Sequence, residues 1–386
     1  MALVLLAGLS AWLATGGLGM LRDLLPTEEP EAPSEATASE VGGRSLALVT
    51  VEGAGAGAAA TRLSVLAEDH ATGAATALLV PTATVAEIPG HGTFSLAEAH
   101  GLGGGDLTRL SLGNLLGVRL DGVAAIDRAG WGQVLGEIGP VEVTTSRTLI
   151  DSDGEVVAEA GTSVLQGAAL ARFLTARIPG EGELEALPRV QQVLAGLLDA
   201  VAEDPGLVDR LLALEAPDGT PTIATEDPQL LAEMFTGLAE ARTEERLTTL
   251  TLPVVPLGSG AEDGYRVDAA RAEAVVTERL AGSLPRGEMV GGRDVQILNG
   301  NGVPRIGLEV AERLSDGGYR IVLTGNADRF TYATTRIVLH DGSAEQLEVG
   351  RDVQQRLGVG ELELAATPGS VVDVTIVVGA DFPPPS

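Results

Sequence analysis

Short apolar runs and longer periodic runs alternate along most of the chain, and turn-forming residues separate them. Alternating or continuous apolar runs predict strands at 46–51, 62–67, 75–80, 123–126 and 247–257. Leucine and valine at spacings of three and four predict helices at 96–99, 107–116, 130–137, 167–176 and 187–201. Strands mixed with helices in this way predict an α/β protein, specifically an α/β/α sandwich with a mixed sheet over residues 44–281.

A second, smaller pattern follows in residues 294–382. A strand from Val295 ends in a tight turn, and Pro304 starts a predicted helix that reaches Leu314. A strand at 336–339, a helix at 344–357 and a last strand at 372–378 complete it. We therefore predict a small C-terminal α/β domain, preceded by a linker at 282–293 and followed by a tail at 383–386.

The N-terminus carries a long apolar run. Between residues 2 and 21 the only polar side-chain groups are Ser10, Thr15 and the indole of Trp12, and about 20 such residues suffice to cross a bilayer as a helix. We predict a transmembrane signal anchor at 1–22 and a disordered acidic linker at 23–43. A cleaved signal peptide is the alternative, although the run lacks a basic n-region and a convincing Ala-x-Ala site.

Charge and composition narrow the possible partners. The formal net charge is −29, and all basic residues are arginine, because the chain contains no lysine. Such a surface repels nucleic acid phosphates, and we expect no nucleic-acid partner. The chain has no cysteine, which excludes disulfides, thiolate metal sites and cysteine nucleophiles.

The stretch at 78–92 is the natural place to look for chemistry, because ligands of α/β proteins tend to lie where a strand ends. Pro81 ends the apolar strand since it has no N–H to donate. The residues that follow are Thr82, Ala83 and Thr84, which offer two hydroxyl groups and no charge. The turn Ile88-Pro89-Gly90-His91-Gly92 closes the stretch.

The order of several motifs resembles the LytR-CpsA-Psr family of cell-envelope proteins, whose members carry an "IPGHG" segment and related motifs. The matching residues, spread over roughly 45–280, are Glu68-Asp69-His70-Ala71-Thr72-Gly73, Ile88-Pro89-Gly90-His91-Gly92, Leu116-Gly117-Val118-Arg119-Leu120-Asp121 and Ile138-Gly139-Pro140-Val141-Glu142-Val143. Residues 294–382 resemble the LytR C-terminal domain, through Val295-Gln296-Ile297-Leu298-Asn299-Gly300-Asn301-Gly302, Gly325-Asn326-Ala327-Asp328-Arg329-Phe330 and Val372-Asp373-Val374-Thr375-Ile376-Val377-Val378.

This resemblance implies an enzyme outside the membrane that moves a glycopolymer from a polyprenyl-pyrophosphate carrier to peptidoglycan. Such chemistry needs arginine to grip phosphate and carboxylates to hold a divalent cation. Thr82 and Thr61, however, occupy the positions of the family's arginine and metal-binding aspartate. Arg177 and Arg189 are the only arginines that remain of two further basic segments. We take them either as residual phosphate ligands or as members of surface ion pairs.

Other possible sites have plainer explanations. Glu181, Glu183 and Glu185 could bind a cation, but alternating acids beside glycine are usually a solvated surface. Asp151-Ser152-Asp153-Gly154 is better explained as a hairpin turn than as a calcium loop. His91 is a turn residue rather than a base, because no partner acid is evident. Gly300-Asn301-Gly302 could bind an anion or form a tight strand-to-helix turn.

Loss of several phosphate-binding groups argues against transfer activity, since removing one such group usually costs orders of magnitude in rate. We therefore expect a single-pass, extracytoplasmic membrane protein that is non-catalytic and needs no cofactor or metal. It would bind polyprenyl (pyro)phosphate lipid or a cell-wall glycopolymer, or act as a scaffold for envelope proteins. The alternative is an active, Mg²⁺-dependent phosphotransferase that uses Arg177 and Arg189.

Overall fold

The computed structural model describes residues 42–53, 57–258, 264–284, 293–365 and 372–383. The predicted transmembrane helix at 1–22 and nearly all of the linker at 23–43 lie outside these residues, as does most of the predicted linker at 282–293. Within the described part of the chain, no helix combines the length and apolar character needed to cross a membrane.

A six-stranded mixed sheet forms the centre of the large domain. Its strands, in spatial order, are β11 (Ala224–Thr225), β6 (Gly122–Asp127), β1 (Gly43–Val51), β2 (Ala60–Asp69), β3 (Ala74–Val80) and β12 (Leu247–Thr251). β1 pairs in parallel with β6, and β3 pairs in parallel with β12, whereas β2 runs antiparallel between them. The carboxyl ends of β1, β3, β6 and β12 therefore lie along one edge of the sheet.

Helices cover both faces of this sheet. Two of them, α1 (Leu96–Leu116) and α7 (Ala269–Arg279), share one apolar cluster with residues such as Val65 and Leu78. The other face packs against five helices, which are α2 (Arg128–Glu137), α3 (Gly167–Thr175), α4 (Glu183–Glu203), α5 (Leu207–Leu212) and α6 (Pro228–Thr243). The predicted α/β/α sandwich with a mixed sheet is confirmed.

The large domain also contains short antiparallel strand pairs. The pairs are β4 (Val85–Ile88) with β5 (Gly92–Ser95), β7 (Val141–Thr145) with β10 (Gly161–Leu165), β8 (Leu149–Ile150) with β9 (Val156–Ala158), and β13 (Val254–Pro256) with β14 (Tyr265–Val267). The turn at 88–92 is thus the tip of the β4–β5 hairpin, which the sequence pattern did not predict.

Several predicted boundaries were wrong, each for a local reason. The predicted break between the helices at 96–99 and 107–116 is present as a kink within α1, where Gly103 and Gly104 have non-helical backbone angles. The strand predicted at 247–257 is broken near Pro253, which has no N–H to donate. The helix predicted from 187 begins earlier, at Glu183, where the Glu185 side chain accepts a hydrogen bond from the N–H of the capping residue Gly182, and Pro188 lies inside the helix.

The small domain is built on a five-stranded sheet. Its spatial order is β16 (Tyr319–Asn326), β15 (Arg293–Asn299), β19 (Val374–Val378), β17 (Arg336–Leu339) and β18 (Glu361–Leu364). The helices α8 (Ile306–Leu314) and α9 (Ala344–Leu357) share one apolar cluster with this sheet. The predicted helix at 304–314 starts two residues late, because Arg305 adopts the left-handed conformation just before it.

The two domains contact each other through an edge strand. Asn114 on α1 exchanges two hydrogen bonds with the backbone of Ile321 in β16, and the Asn114 Nδ2 to Ile321 O distance is 2.7 Å. Glu87 on β4 accepts hydrogen bonds from the backbone N–H and the hydroxyl of Thr324, at 3.0 and 2.7 Å. Leu308 of α8 is 5% exposed and packs with the cluster of the large domain. Side chains of the large domain therefore satisfy outward backbone groups of β16.

Replacing Asn114 with alanine is expected to loosen this contact. The change leaves the N–H and C=O of Ile321 without their partners, and net hydrogen bonds of this kind contribute about 0.5–1.5 kcal/mol each. We expect faster amide hydrogen exchange at Ile321 and its neighbours in β16, measured by mass spectrometry. Exchange in the central strand β15 should stay unchanged, and equal acceleration in both strands would contradict the assigned role.

Candidate functional site

The candidate site lies at the carboxyl edge of the large sheet. β1 ends just before Glu52, β3 ends just before Pro81 and Thr82, and the antiparallel strand β2 begins nearby with Thr61 and Arg62. The loop before α4 carries Glu181 and leads to Glu183 at the helix start. This is the edge at which open α/β sheets bind their ligands.

Glu183 binds the backbone where β3 ends. Its carboxylate accepts hydrogen bonds from the Thr82 N–H, from the Thr82 hydroxyl at 2.8 Å and from the Ala83 N–H at 3.1 Å. Thr82 is only 7% exposed, so these contacts are shielded from water. A carboxylate of the chain itself thus occupies a group of donors that could otherwise bind an external anion.

Arg189 is one of the two arginines considered either as phosphate ligands or as ion-pair members, and it is buried. The residue is 3% exposed and forms an ion pair with Glu181, whose side chain is 7% exposed. The Arg189 guanidinium also donates to the carbonyl oxygens of Phe173, at 2.7 Å, and Ala176, at 3.0 Å. Burial lowers the pKa of Arg189, while the adjacent Glu181 opposes that shift. These contacts make Arg189 a structural cation that ties α4 to the end of α3.

Arg177 and Thr61 are not arranged to bind phosphate or a metal ion, which are the roles that the family resemblance implies for their positions. The Arg177 side chain is 72% exposed and pairs with Glu52, which is 60% exposed. The Thr61 hydroxyl donates to the Thr50 carbonyl at 3.2 Å, across the β1–β2 pair. With a hydroxyl at Thr61 and a methyl group at Ala83, these positions do not fit Mg²⁺, which prefers carboxylates and water.

Arg62 is the charged group at this site that the sequence reasoning undervalued. Its side chain lines the cleft between the sheet and α4, and its pKa is lowered to about 10. Burial is the main cause, Arg189 and Arg177 lower the pKa further, and Glu183 and Glu181 oppose them. The position of Arg62 on the inward face of β2 follows from the pairing register of that strand. The local sequence pattern does not determine this register.

The charges at the site cancel. The cations Arg62, Arg177 and Arg189 face the carboxylates of Glu52, Glu181 and Glu183 through ion pairs or longer-range electrostatic attraction. The prediction that Glu181 and Glu183 are a solvated surface was wrong, because both make the partly buried contacts just described. Across the described ranges, no group of three or more histidine or acidic side chains is arranged to hold a metal ion.

The apolar cleft beside these charges is nearly filled. Its cavity measures about 20 Å³ and is lined by Leu48, Arg62, Trp131, Leu174 and Val190, among others. A cavity of this size holds about one water molecule, whereas benzene needs roughly 150 Å³. A much larger groove of about 970 Å³ lies away from this site, between α1, α7 and the small domain.

The remaining candidates lie in turns or hairpin tips. Asp151 and Gly154 form the hairpin tip between β8 and β9, and the buried Asp151 carboxylate pairs with Arg172. His91 lies at the tip of the β4–β5 hairpin. Gly300-Asn301-Gly302 forms the tight connection between β15 and α8.

His91 makes the stability of the folded chain depend on pH in a definite direction. Its pKa is lowered first by burial and then by the positive charge of Arg305 in the small domain, and its Nε2 is buried without a hydrogen-bond partner. A histidine with a lowered pKa favours folding most when neutral, so its contribution is lost as pH falls below the ordinary value near 6.5. We expect the melting temperature of His91→Gln to fall less than that of the wild type between pH 7.5 and 5.5. Parallel pH curves for the two proteins would refute this.

The three-layer sandwich, its site at the carboxyl edge and the appended small domain define a two-domain α/β protein. The LytR_cpsA_psr family model matches residues 63–280, which is more than half of the chain. The chain therefore belongs to the LytR-CpsA-Psr family. Residues 293–382 match a second model, described as LytR cell envelope-related transcriptional attenuator.

Individual relatives are more distant. The chain is 27% identical over 135 residues to the probable cell wall biosynthesis protein LcpB of Corynebacterium glutamicum, covering 35% of this chain and 32% of LcpB. It is 28% identical over 128 residues to the polyisoprenyl-teichoic acid–peptidoglycan teichoic acid transferase TagT of Bacillus subtilis, covering 32% of this chain and 39% of TagT. The matched segments thus span about a third of each relative.

The fold is shared more widely than the sequence. The crystal structure of B. subtilis TagV superposes with a TM-score of 0.52 at 18% identity, covering 63% of this chain and 98% of TagV. The share of this chain that is covered is close to the share occupied by the large domain. This likeness concerns the fold alone.

Proposed function

We propose that this chain is a non-catalytic member of the LytR-CpsA-Psr family that binds a cell-wall glycopolymer and holds envelope components together. The observation that carries the proposal is the position of Glu183. Its carboxylate takes three donors from Thr82 and Ala83, where the family resemblance places groups that grip pyrophosphate. An external pyrophosphate would have to displace this carboxylate and then meet its negative charge.

The arginines support the same conclusion. Arg189 is committed to Glu181 and to two carbonyl oxygens, and Arg177 lies exposed beside Glu52. Removing one partner from a buried pair costs about 3–5 kcal/mol, so Arg189 is not available to an incoming phosphate at low cost. A transferase of this type needs free cations at the moment the leaving group departs.

The size of the apolar cleft argues against a lipid ligand at this position. A polyprenyl chain is far larger than benzene, yet the cleft between β1, β2 and α4 holds only about 20 Å³. Lipid binding there would require α3 and α4 to move away from the sheet. A wall polymer, by contrast, can be bound on the surface of either domain.

The proposed location is the outer side of the cell membrane, because the ligands named for this family lie outside it. The N-terminal anchor at 1–22 remains a prediction that the described residues do not test. N-terminal sequencing of the native protein checks it, since a retained anchor would leave the apolar run at 2–21 in place.

The decisive experiment combines a binding measurement with a turnover measurement on one sample. We would purify the full chain in detergent after native expression, and search for co-purified polyprenyl phosphate by mass spectrometry. Pyrophosphate release would then be followed with a polyprenyl-pyrophosphate-linked glycan and Mg²⁺. We expect neither turnover nor a stoichiometric amount of lipid.

Two results would change the proposal. Turnover that disappears in Arg62→Ala and Arg177→Ala would establish the alternative, an active phosphotransferase with a rearranged site. Bound lipid without turnover would keep the non-catalytic assignment and make the apolar cleft a lipid site that opens in the membrane.

A further inference from the structure

In the small domain, three loops meet at the edge of the sheet where three parallel strands end. β15 runs parallel to both β16 and β19, so the three strands end at the same edge. The loops that follow carry Gly300-Asn301-Gly302, the segment 327–335 and the segment 379–383. Ligand sites of open α/β sheets occur at such edges.

The turn after β15 is held rigidly. The Asn299 side chain accepts hydrogen bonds from the N–H groups of Asn301, at 3.2 Å, and Gly302, at 2.8 Å. The Asn301 amide donates to the carbonyl of Gly379 at 2.9 Å, which ties this turn to the end of β19. Surfaces held in this way lose little conformational entropy on binding.

Two aromatic residues are presented on this rigid base. Phe330 is 51% exposed. A Cβ atom at Gly302 would lie 3.3 Å from the Phe330 side chain, so glycine at this position allows Phe330 to pack against the turn. The Tyr332 hydroxyl donates to Asp328 at 2.7 Å, and the Arg329 guanidinium lies 4.4 Å from the centre of the Tyr332 ring. We call Phe330, Tyr332, Asp328, Arg329 and Gly302 the aromatic platform.

Phe330 and Phe94 are both exposed among the described phenylalanines, at 51% and 37%. The whole sequence has five phenylalanines and three tyrosines, and Phe330 is the most exposed of the large aromatic side chains in the described ranges. Phe330 directly follows the Asp328–Arg329 ion pair along the chain and precedes Tyr332 by two residues. An apolar ring surrounded by a few fixed polar groups is the usual composition of a small-ligand site.

Electrostatics selects among the possible ligands. Asp328 and Arg329 form an ion pair, so these two platform charges cancel, while the chain as a whole carries a net charge of −29. An anionic polymer would be repelled by that net charge. Pyranose sugars without acidic substituents carry no charge, their C–H groups stack on the negative face of an aromatic ring, and their hydroxyls bind planar polar side chains.

We infer that the aromatic platform is a binding site for uncharged pyranose sugars of a wall glycan, with Phe330 stacking on a sugar ring. This inference rests on the proposed function, because it names the surface and the chemistry through which the glycopolymer is held. It assigns that contact to the small domain and leaves the edge of the large sheet out of it.

The test is co-sedimentation of the full chain, in detergent, with peptidoglycan sacculi from which anionic polymers have been removed. Chitotetraose serves as a soluble competitor. We expect Phe330→Leu to reduce bound protein by about fivefold or more, because it keeps an apolar side chain and removes the ring. Phe330→Trp should retain binding. Phe94→Ala is the matched control, since Phe94 is 37% exposed on β5 of the large domain.

Each outcome decides the inference. Loss in Phe330→Leu, retention in Phe330→Trp and competition by chitotetraose support it. Equal loss in Phe94→Ala, binding that requires the anionic polymers, or no binding to sacculi overturns it, and the last result would favour a protein partner. Pyrophosphate release measured on the same sample tests the proposed function separately, because turnover would refute that function and leave the sugar site intact.

Discussion

Replacing Arg189 with alanine is expected to lower the free energy of unfolding by about 3–5 kcal/mol. The side chain is buried, and its loss leaves the Glu181 carboxylate without its cation. The carbonyl oxygens of Phe173 and Ala176 also lose their donors. Urea denaturation followed by circular dichroism measures the change, and the midpoint should fall without a change in slope.

The matched control for this prediction is Arg177→Ala. Arg177 was assigned the same role from the sequence, but its side chain is 72% exposed and exposed ion pairs contribute little, typically about 0–1 kcal/mol. A second variant, Glu181→Gln with Arg189→Met, removes both charges and should recover part of the loss. If Arg189→Ala were as stable as Arg177→Ala, the buried ion pair would not be the structural tie described above.

Replacing Glu183 with alanine is expected to create affinity for pyrophosphate at the edge of the large sheet. The change frees the N–H groups of Thr82 and Ala83 and the Thr82 hydroxyl, and leaves Arg62 with one fewer opposing charge. Hydrogen bonds to charged groups contribute about 1.5–3 kcal/mol each, so we expect at least a tenfold tighter dissociation constant. Isothermal titration calorimetry with inorganic pyrophosphate measures it.

Glu185→Ala is the appropriate comparison for that experiment. Glu185 lies on the same first turn of α4 and carries the same charge, but it is exposed, and its carboxylate accepts a hydrogen bond from the Gly182 N–H at 3.4 Å. A general effect of net charge would make the two variants bind pyrophosphate equally. Selective binding by Glu183→Ala would mean that this carboxylate, rather than the lack of cations alone, keeps the site closed.

The sequence predicted the layers of the fold because those follow from local periodicity. The run at 75–80 and the leucine spacing of α4 each determine an element without reference to the rest of the chain. The β4–β5 hairpin and β18 were missed, since four-residue strands carry little periodic signal. Gly117 ends α1 in the left-handed conformation, which glycine adopts at low cost.

Only part of the candidate site could be predicted from the sequence. Comparison of residue types located Thr82 and Thr61 and showed which charged groups were missing. The partners of Glu183 and Arg189 could not be inferred, because they depend on how α4 approaches β3 and α3 in three dimensions. The sequence left open whether Arg189 was a ligand or an ion-pair member, and burial with Glu181 supports the second interpretation.

Asn114 and Glu87 cap the edge of β16, and this contact affects how the small domain behaves when it is expressed alone. An edge strand with free N–H and C=O groups is a template for pairing with another strand, and natural proteins cover or interrupt such edges. Here another domain supplies the cover, and its side-chain hydrogen bonds to β16 in the described ranges come from Asn114 and Glu87. The small domain expressed alone would present this edge to solvent, and we expect it to dimerise or aggregate at concentrations where the intact chain stays monodisperse.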